Sequence, residues 1–462
     1  MYRPAGAGAV SEQETAQRGW TSGLSFILAV TGAAVGLGNI WRFPYMAGEH
    51  GGSAFLLLYA GFVLCLGLPI MAAEIMIGRA GGRAPLQSMR WLAERSGVSP
   101  RWGWVAFWGG ATLLMVLSFY SVVAGWALDY TVQSLSGQLA GRSPEAIGRA
   151  FDALLASPWR VVADHTLFMI MTLGVVAAGV RSGIVRLNNW LVPLLYVLLI
   201  ALVIMVAFMT DGVLPALRWL LTPDFSQING SVVLNAMGHA FFTLATGACS
   251  LMAYGAGMPA RQRVLPVVFT VAVLDVLVAL LAGVAIFAVV FDQHMTVSQG
   301  PGLVFVTLPI AFAEWPGGSL WLGAFMGVLV VATWTSSINM AEPLVAMLED
   351  AGWRRRRAAW MVGGSAWALG LLSALSFSVL AGVRPLAGMS LFDVMTALPT
   401  DIMMPIGGLL IALFAAWRLE RGRAFKGLGA GPLGFAVWRG VTRFSAIPLL
   451  AVVFIATLVT AG

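Results

Sequence analysis

Charged residues are scarce in this chain of 462 amino acids, at 10% of the sequence, whereas 59% of its residues are hydrophobic. Soluble globular proteins carry roughly 25% charged residues, so the composition excludes that class and indicates a membrane protein with many spans. Cysteine is also rare. Cys65 and Cys249 both lie in apolar runs, and neither is expected to form a disulfide or bind a metal. The histidines lack the spacing of metal ligands and the carboxylates are scattered, so we expect no enzyme active site.

Apolar runs of membrane-spanning length occur eleven times along the chain. We predict the spans at 22–48, 53–78, 103–134, 164–180, 187–210, 232–257, 264–291, 319–348, 358–380, 391–417 and 443–461. A further run near 298–313 contains Pro301 and Pro309, and we interpret it as a re-entrant or extracellular helix that does not cross. Residues 1–21 form a largely polar N-terminal segment. The first apolar run after it is too long for a signal peptide, so we expect no cleavage.

The distribution of positive charge predicts how the chain is oriented. If the N-terminus is cytoplasmic, the cytoplasmic loops contain the run from Arg354 to Arg357 and most other arginines, whereas the outer loops contain Asp211, Asp224 and Asp292. The positive-inside rule therefore predicts an N-terminus inside and a C-terminus outside. The net charge of +7 would suit a nucleic-acid partner, but charge confined to loops on one side is a topology signal and not a binding patch.

The first span contains residues that disfavour an uninterrupted helix. The stretch Gly32–Pro44 carries three glycines together with Asn39 and Arg42. Glycine inside a helix costs roughly 1 kcal/mol relative to alanine, and in lipid each freed backbone group needs a partner in the protein or at a cavity. Close helix packing explains Gly32 and Gly36, but it does not explain Asn39 and Arg42 in the same segment. We therefore predict a break at mid-membrane that turns backbone groups toward a ligand.

The sixth span repeats this pattern, since Asn235–Ala248 is polar and contains glycines at mid-depth. Interrupted spans at matching positions of two halves indicate a transporter site between two repeats. If the chain holds two repeats of five spans each, the second is inserted upside down, which is the geometry of alternating access. The repeats are predicted over 22–210 and 232–419, followed by one helix over 443–461. We interpret Glu74 as a support for the unwound segments and not as a ligand.

Six motifs together connect the chain to a known family. They are Gly36–Pro44, Glu49–Gly52, Phe119–Ser121, Phe241–Leu244, Thr335–Ser337 and Glu342–Pro343. From about Trp20 to its end, the chain resembles the neurotransmitter:sodium symporter family, and within it the bacterial leucine transporter and its eleven-helix relatives. The resemblance implies an all-α polytopic membrane protein with the leucine-transporter fold. That fold has two inverted five-helix repeats, here with one extra helix, and its helices 1 and 6 are unwound at mid-membrane.

The resemblance also implies a function, which is sodium-coupled symport of an amino acid across the bacterial cytoplasmic membrane by alternating access. Two alternatives stay open: a carrier of another small carboxylate-bearing solute such as an osmolyte, and a sensor that binds an amino acid without transporting it. A channel is disfavoured because the resemblance places gates on both sides of the site. The expected partners are the amino acid, Na⁺ and the lipid bilayer, without nucleic acid; the sequence does not define an oligomeric state.

Sodium is a hard cation that binds oxygen atoms, and the resemblance implies two sodium sites. The first site would use Ala34, Asn39, Thr243 and Asp275. The second site would use Gly32, Val35, Ala332, Thr335 and Ser336. Taken alone, the hydroxyls of this second group could equally bond to their own helix. A carboxylate at mid-depth is costly unless it is paired, so a neutral, hydrogen-bonded acid is the alternative for Asp275.

Animal members of the family bind chloride beside the first sodium site. The corresponding positions here are Tyr59, His239, Thr243, Asp275 and Ala279. Because the carboxylate of Asp275 can supply the negative charge that chloride supplies elsewhere, we expect no chloride requirement. We also expect that His239 pairs with Asp275 and that the two titrate as a coupled unit. The alternative is that His239 is a neutral packing residue.

The resemblance places the substrate between the first, third, sixth and eighth spans. The implied substrate-binding residues are Ala33, Ala34, Gly36, Leu37, Gly38, Val116, Tyr120, Phe242, Thr243, Ala245, Ala248, Ser336, Asn339 and Met340. Free amides at the start of a half-helix and the Tyr120 hydroxyl would bind a carboxylate. Since monoamine carriers of the family have aspartate at the position of Gly36, the cargo here should bring its own carboxylate. Ala248 implies a larger pocket, and Asn339 adds a polar group to it.

The gates implied by the resemblance lie on both sides of this site. Arg42 and Asp401 match the outer ion pair of the family. On the inner side Trp20 and Asp350 match, but the usual arginine is replaced by glutamine, and the neighbouring Arg18 is the residue that can substitute for it.

Overall fold

The structure is a computed structural model that describes Trp20 and residues 22–139, 141–297, 302–313, 315–386 and 388–460. Within those residues the fold is all-helical, and its one β-type pairing is an isolated bridge between Leu386 and Met389. Lipid offers no hydrogen-bond partners to the backbone, and a helix satisfies its backbone N–H and C=O groups within its own segment. The prediction of an all-α membrane protein is confirmed.

The helices are numbered here in chain order. In the first half they are α1 Gly23–Ala34, α2 Gly38–Glu49, α3 Ser53–Gly81, α4 Pro85–Arg95, α5 Trp104–Leu135, α6 Pro144–Ala156, α7 Pro158–Ala178, α8 Gly183–Met209 and α9 Val213–Leu221. In the second half they are α10 Gly230–Thr243, α11 Ser250–Ala256, α12 Val264–Asp292, α13 Leu303–Ala313, α14 Gly318–Asp350, α15 Arg355–Ala374, α16 Leu391–Arg418, α17 Arg421–Leu428 and α18 Pro432–Val453.

Eight of the described helices are long and apolar enough to cross a membrane, namely α3, α5, α7, α8, α12, α14, α16 and α18. Helices α1 and α2 meet this criterion as a pair, which is bent by 46° at the break between them. Helices α10 and α11 have 14 and 7 residues, so neither is long enough to cross alone. Helix α15, which begins with three arginines, is not among the helices that meet the criterion.

The last helix begins earlier than predicted. The sequence places its start at 443, whereas α18 begins at Pro432. The charges of Arg439 and Arg443 favour a loop in the sequence, but in the structure both guanidinium groups donate to the carbonyl of Ala416 at the end of α16. This contact allows charged residues to lie inside a membrane-length helix.

Two other regions differ less from the predicted spans. Helix α15 ends at Ala374, and the predicted extension to 380 is a series of turns. The run near 298–313 contains the short apolar helix α13, while its residues 298–301 lie outside the described part of the chain.

Helices α5 and α14 pack against each other over much of their length. Helix α14 also contacts α1 and α8, α11 packs against α3, and α10 packs against both α2 and α16. This arrangement places the break between α1 and α2, and the break between α10 and α11, beside the paired helices α5 and α14.

Gly78 on α3 permits the close approach of α11. A Cβ atom at this position would lie 1.9 Å from the carbonyl oxygen of Met252, which belongs to the backbone and cannot rotate away. We expect Gly78→Ala to lower the melting temperature of the purified protein by several degrees, because overpacking costs about 1–3 kcal/mol. Gly61→Ala, on the same helix but with nothing within 4 Å of the new Cβ, is the control and should melt no lower than the unaltered protein. Equal melting temperatures for the two variants would contradict this packing.

Candidate functional site

The first interruption, between α1 and α2, depends on Asn39. Helix α1 ends at Ala34, and Val35 has extended backbone angles (φ −75°, ψ 116°). The N–H of Gly36 donates to Oδ1 of Asn39 at 3.0 Å, whereas in a continuous α-helix it would donate to the carbonyl of Gly32. The Asn39 side chain therefore replaces a helical hydrogen bond and leaves the Gly32 carbonyl free for another partner.

The second interruption, between α10 and α11, is held by Glu74 of α3. Between the two helices, Ala245, Gly247 and Cys249 have positive φ angles of 50°, 85° and 60°. The buried carboxylate of Glu74 accepts hydrogen bonds from the N–H groups of Gly247 at 2.6 Å and Leu251 at 3.1 Å. It thereby satisfies backbone amides that have no helical partner. Glu74 supports the unwound segment, as expected from the sequence.

Ser336 of α14 joins the oxygens freed by the first interruption. Its Oγ donates to the carbonyls of Gly32 at 3.1 Å and Val35 at 2.7 Å. The neighbouring Thr335 hydroxyl donates to the carbonyl of Ala332 at 2.9 Å. All five residues are buried. The structure therefore brings together oxygens of Gly32, Val35 and Ser336, a carbonyl and hydroxyl set suited to a hard cation. The Thr335 hydroxyl bonds to its own helix, which is the alternative that the sequence left open, so the complete second sodium site stays a prediction.

Asp275 of α12 is the centre of a second polar cluster. Its Oδ1 accepts from Nδ2 of Asn39 and from Oγ1 of Thr243, both at 2.8 Å, and its Oδ2 accepts from the Tyr59 hydroxyl at 2.7 Å. All four side chains are buried. A charge at this depth needs such partners. Three of the four residues predicted for the first sodium site thus meet here, and the fourth, Ala34, lines the adjoining cavity.

The expected pairing of His239 with Asp275 is wrong. Both ring nitrogens of His239 are buried, and neither hydrogen-bonds to any residue that the structure describes. The ring packs among aromatic side chains, with its centre 4.8 Å from that of Tyr59, 6.0 Å from Phe43 and 5.7 Å from Phe55. The carboxylate is already occupied by other donors, so the alternative of a packing histidine fits the structure.

A cavity lies between the two interruptions. It is lined by Ala33, Ala34, Gly36, Leu37, Gly38, Leu113, Val116, Tyr120, Phe242, Ala245, Ser336, Met340 and Met404. The N–H of Leu37 donates to the Tyr120 hydroxyl at 3.0 Å, so the two groups expected to bind a carboxylate face each other. Sequence reasoning missed Leu113 and Met404, because nothing in an apolar run marks which of its residues meets a cavity.

Three of the predicted substrate residues do not line this cavity in the described structure. Thr243 belongs to the cluster around the buried carboxylate, and Ala248 is fully buried. The amide of Asn339 donates to Asn188 at 3.3 Å and accepts from the Tyr254 hydroxyl at 2.6 Å. Its polar group is therefore engaged by neighbouring helices and is not part of the pocket wall.

Arg42 and Asp401 form the predicted outer ion pair, with Nη2 of the arginine 3.1 Å from Oδ1 of the aspartate. The guanidinium group also lies 5.2 Å from the ring centre of Phe242. The Arg42 side chain is 10% exposed, and Phe242 is buried. The ion pair connects α2 to α16, and the second contact connects α2 to the cavity-lining Phe242 of α10.

Trp20, which precedes α1, packs against α11. Its indole N–H donates to the carbonyl of Tyr254 at 3.2 Å, and the two rings stack with centres 5.3 Å apart. Asp350 accepts a hydrogen bond from the N–H of Ala84 at 2.8 Å, which ties α14 to the turn before α4. Arg18, the third residue expected at this gate, lies outside the described residues.

Comparisons with known proteins place this geometry in context. The profile of the Sodium:neurotransmitter symporter family matches residues 17–147 and 145–462. An uncharacterized sodium-dependent transporter of Bacillus subtilis, YhdH, is 34% identical over 96% of this chain and 98% of its own. An uncharacterized sodium-dependent transporter of Haemophilus influenzae is 28% identical over 95% and 98%. The crystal structure of MhsT in complex with L-phenylalanine matches with a TM-score of 0.88 at 38% identity, covering 95% of this chain and 99% of that one.

The role of the Ser336 hydroxyl in sodium binding can be tested by comparison with the hydroxyl of Ser337. We expect Ser336→Ala to raise the sodium concentration needed for half-maximal thermal stabilisation by about tenfold, because it removes one oxygen of the predicted second sodium site. Ser337→Ala is the matched control, since its hydroxyl contacts Trp334 and Thr172 instead. Melting temperatures are measured against sodium at constant ionic strength. The same sodium dependence in both variants would remove Ser336 from the ion site.

Proposed function

The chain belongs to the sodium:neurotransmitter symporter family, and we propose that it takes up an amino acid by sodium-coupled symport across the bacterial cytoplasmic membrane. The observation that carries this proposal is the pair of interrupted helices around one cavity, with two clusters of oxygen atoms nearby. Backbone groups at such interruptions bind ions and substrates in secondary transporters. The relatives described above are transporters, and the chain is a carrier and not an enzyme.

We propose that the cargo carries its own carboxylate and an apolar side chain. The backbone amides at the start of α2 and the Tyr120 hydroxyl provide donors for a carboxylate, favoured by the helix dipole. Gly36 offers no acid that would select an amine. The rest of the cavity wall is mainly apolar, with Leu113, Val116 and Met340 among its side chains. The L-phenylalanine bound by the related MhsT supports this assignment.

The coupling of sodium to cargo follows from proximity. In the proposed function two sodium ions bind, one at the Asp275 cluster and one at the Ser336 cluster. Ala34 and Ser336 line the cavity as well as belonging to the predicted ion sites, so ions and cargo share residues. Each then raises the affinity of the other, and this effect is reciprocal by thermodynamic necessity.

We infer the finer architecture from the order of the helices. Counting the pairs α1–α2 and α10–α11 as one span each, and α15 as a span, gives eleven crossings. The first five and the next five would be inverted repeats, with the N-terminus inside and the C-terminus outside, as the positive-inside rule requires. In this arrangement the Arg42–Asp401 pair closes the outer side, and Trp20 packs at the inner side. Alternating access requires each closure to open in turn.

A ligand screen tests both the class and the cargo. The melting temperature of the full-length protein is measured with each of the twenty amino acids, with phenethylamine and with betaine, in sodium and in potassium. We expect apolar amino acids to stabilise the protein only in sodium, while phenethylamine, which lacks a carboxylate, does not. Stabilisation by betaine alone would favour an osmolyte carrier, and stabilisation that is equal in potassium would contradict sodium coupling.

Transport itself separates a carrier from a sensor. Proteoliposomes that contain the protein should accumulate the stabilising amino acid above its external concentration when a sodium gradient is imposed, and the accumulation should vanish when the gradient is collapsed. Sodium-dependent binding without accumulation would assign the protein as a sensor.

We propose that transport does not require chloride, because Asp275 supplies a fixed negative charge at the position where animal relatives hold the anion. Replacing chloride by gluconate should change the uptake rate less than about twofold. Asp275→Asn should lose most of its uptake, and the double variant with Ala279→Ser should recover part of it only when chloride is present. Uptake by the unaltered protein that collapses in gluconate would contradict the proposal.

A further inference from the structure

Two arginines of α18 converge on one backbone oxygen at the end of α16. Arg439 and Arg443 are one helical turn apart, so they project from the same face. Nε of each arginine donates to the carbonyl of Ala416, at 3.1 and 2.8 Å, and Nη2 of Arg443 donates to it at 2.6 Å. The partial negative charge of a helix C-terminus stabilises a cation, but here two guanidinium groups share it.

Positive charge is in excess around this contact. The stretch 414–446 contains six basic residues and one acid, Glu420, whose carboxylate already pairs with a neighbouring arginine at 2.7 Å. The positive charges of Arg443 and, to a smaller extent, Arg421 act on Arg439. Among the residues that the structure describes, neither Arg439 nor Arg443 pairs with a carboxylate. Each guanidinium has five N–H donors, and most of those on these two arginines have no acceptor in the part of the chain that the structure describes.

The cluster lies at an outward-facing apolar surface. The Arg443 guanidinium lies 4.3 Å from the ring centre of Trp417, which is 51% exposed. On α18, Leu433, Val437 and Phe444 are 78%, 56% and 75% exposed. In a membrane-length helix such side chains contact acyl chains, and an exposed tryptophan beside them is typical of the headgroup level. The two guanidinium groups therefore lie where lipid headgroups reach the protein.

We propose that Arg439 and Arg443 bind the phosphate of an anionic phospholipid, whose acyl chains lie against the exposed ring of Trp417. A phosphate accepts hydrogen bonds from both guanidinium groups and supplies the negative charge that this region lacks. A zwitterionic lipid fits less well, because its ammonium group meets the same cations. The exposed apolar side chains favour a lipid as the source of the phosphate over a soluble anion.

The test uses delipidated full-length protein in detergent. Phosphatidylglycerol, phosphatidylcholine and inorganic phosphate are titrated separately, and binding is followed by native mass spectrometry and by melting temperature. We expect phosphatidylglycerol to bind about tenfold or more tightly than phosphatidylcholine, and inorganic phosphate to give no stabilisation. The R439Q/R443Q variant should lose this preference. R423Q is the matched control, because that arginine already pairs with Glu420, and it should keep the preference.

The melting temperature of R439Q/R443Q in phosphatidylcholine shows whether this variant folds. If it does not fold, a second variant that conserves the charge tests the proposal instead. R439K/R443K retains both charges but loses the forked donors, so it should prefer phosphatidylglycerol with weaker binding than the unaltered protein. An undiminished preference in R439Q/R443Q, or equal binding of both lipids by the unaltered protein, would overturn the proposal. Stabilisation by inorganic phosphate alone would overturn the assignment to a lipid.

Discussion

The hydrogen bond from the Gly36 N–H to the Asn39 side chain is the interaction on which the site depends. It ends α1 without leaving an amide unsatisfied, and it frees the carbonyl of Gly32. The same break turns the Val35 carbonyl toward Ser336 and leaves the N–H of Leu37 facing the cavity through Tyr120. One local change of partner therefore creates oxygen ligands on one side of the segment and amide donors on the other. This is why ions and a carboxylate can be held by a single stretch of chain.

Three buried polar side chains next to the interruptions, Asn39, Asp275 and Glu74, meet the same requirement for partners. The Asn39 amide is shared, since its oxygen accepts from Gly36 while its Nδ2 donates to Asp275. The carboxylate of Asp275 is in turn satisfied by donors from three other helices. Glu74 performs the equivalent role at the second interruption. The second break is thus held by a side chain of the intact helix α3. The first is held by Asn39 of α2, whose amide is fixed in turn by Asp275 of the intact helix α12.

The sequence predicted the interruptions because glycine and asparagine inside an apolar run destabilise a continuous membrane helix. At a break, the freed backbone groups and the asparagine amide can bind a ligand or each other. The sequence could not predict which way a polar side chain turns on its helix. Asn339 therefore looked like part of the pocket but is bonded to Asn188 and Tyr254, and His239 looked like a partner for Asp275 but packs among aromatic rings. The sequence also could not predict the early start of α18, because the carbonyl that accepts hydrogen bonds from its arginines belongs to Ala416 of another helix.

The most direct measurement is an experimental density map of the protein in sodium, set beside one in potassium. In sodium it should show the chain broken between Val35 and Asn39, with an ion peak in contact with the carbonyls of Gly32 and Val35 and the hydroxyl of Ser336, and that peak should be missing in potassium. A continuous helix in which Gly36 donates to Gly32, or a break that contains no ion in sodium, would contradict the proposed origin of ion binding.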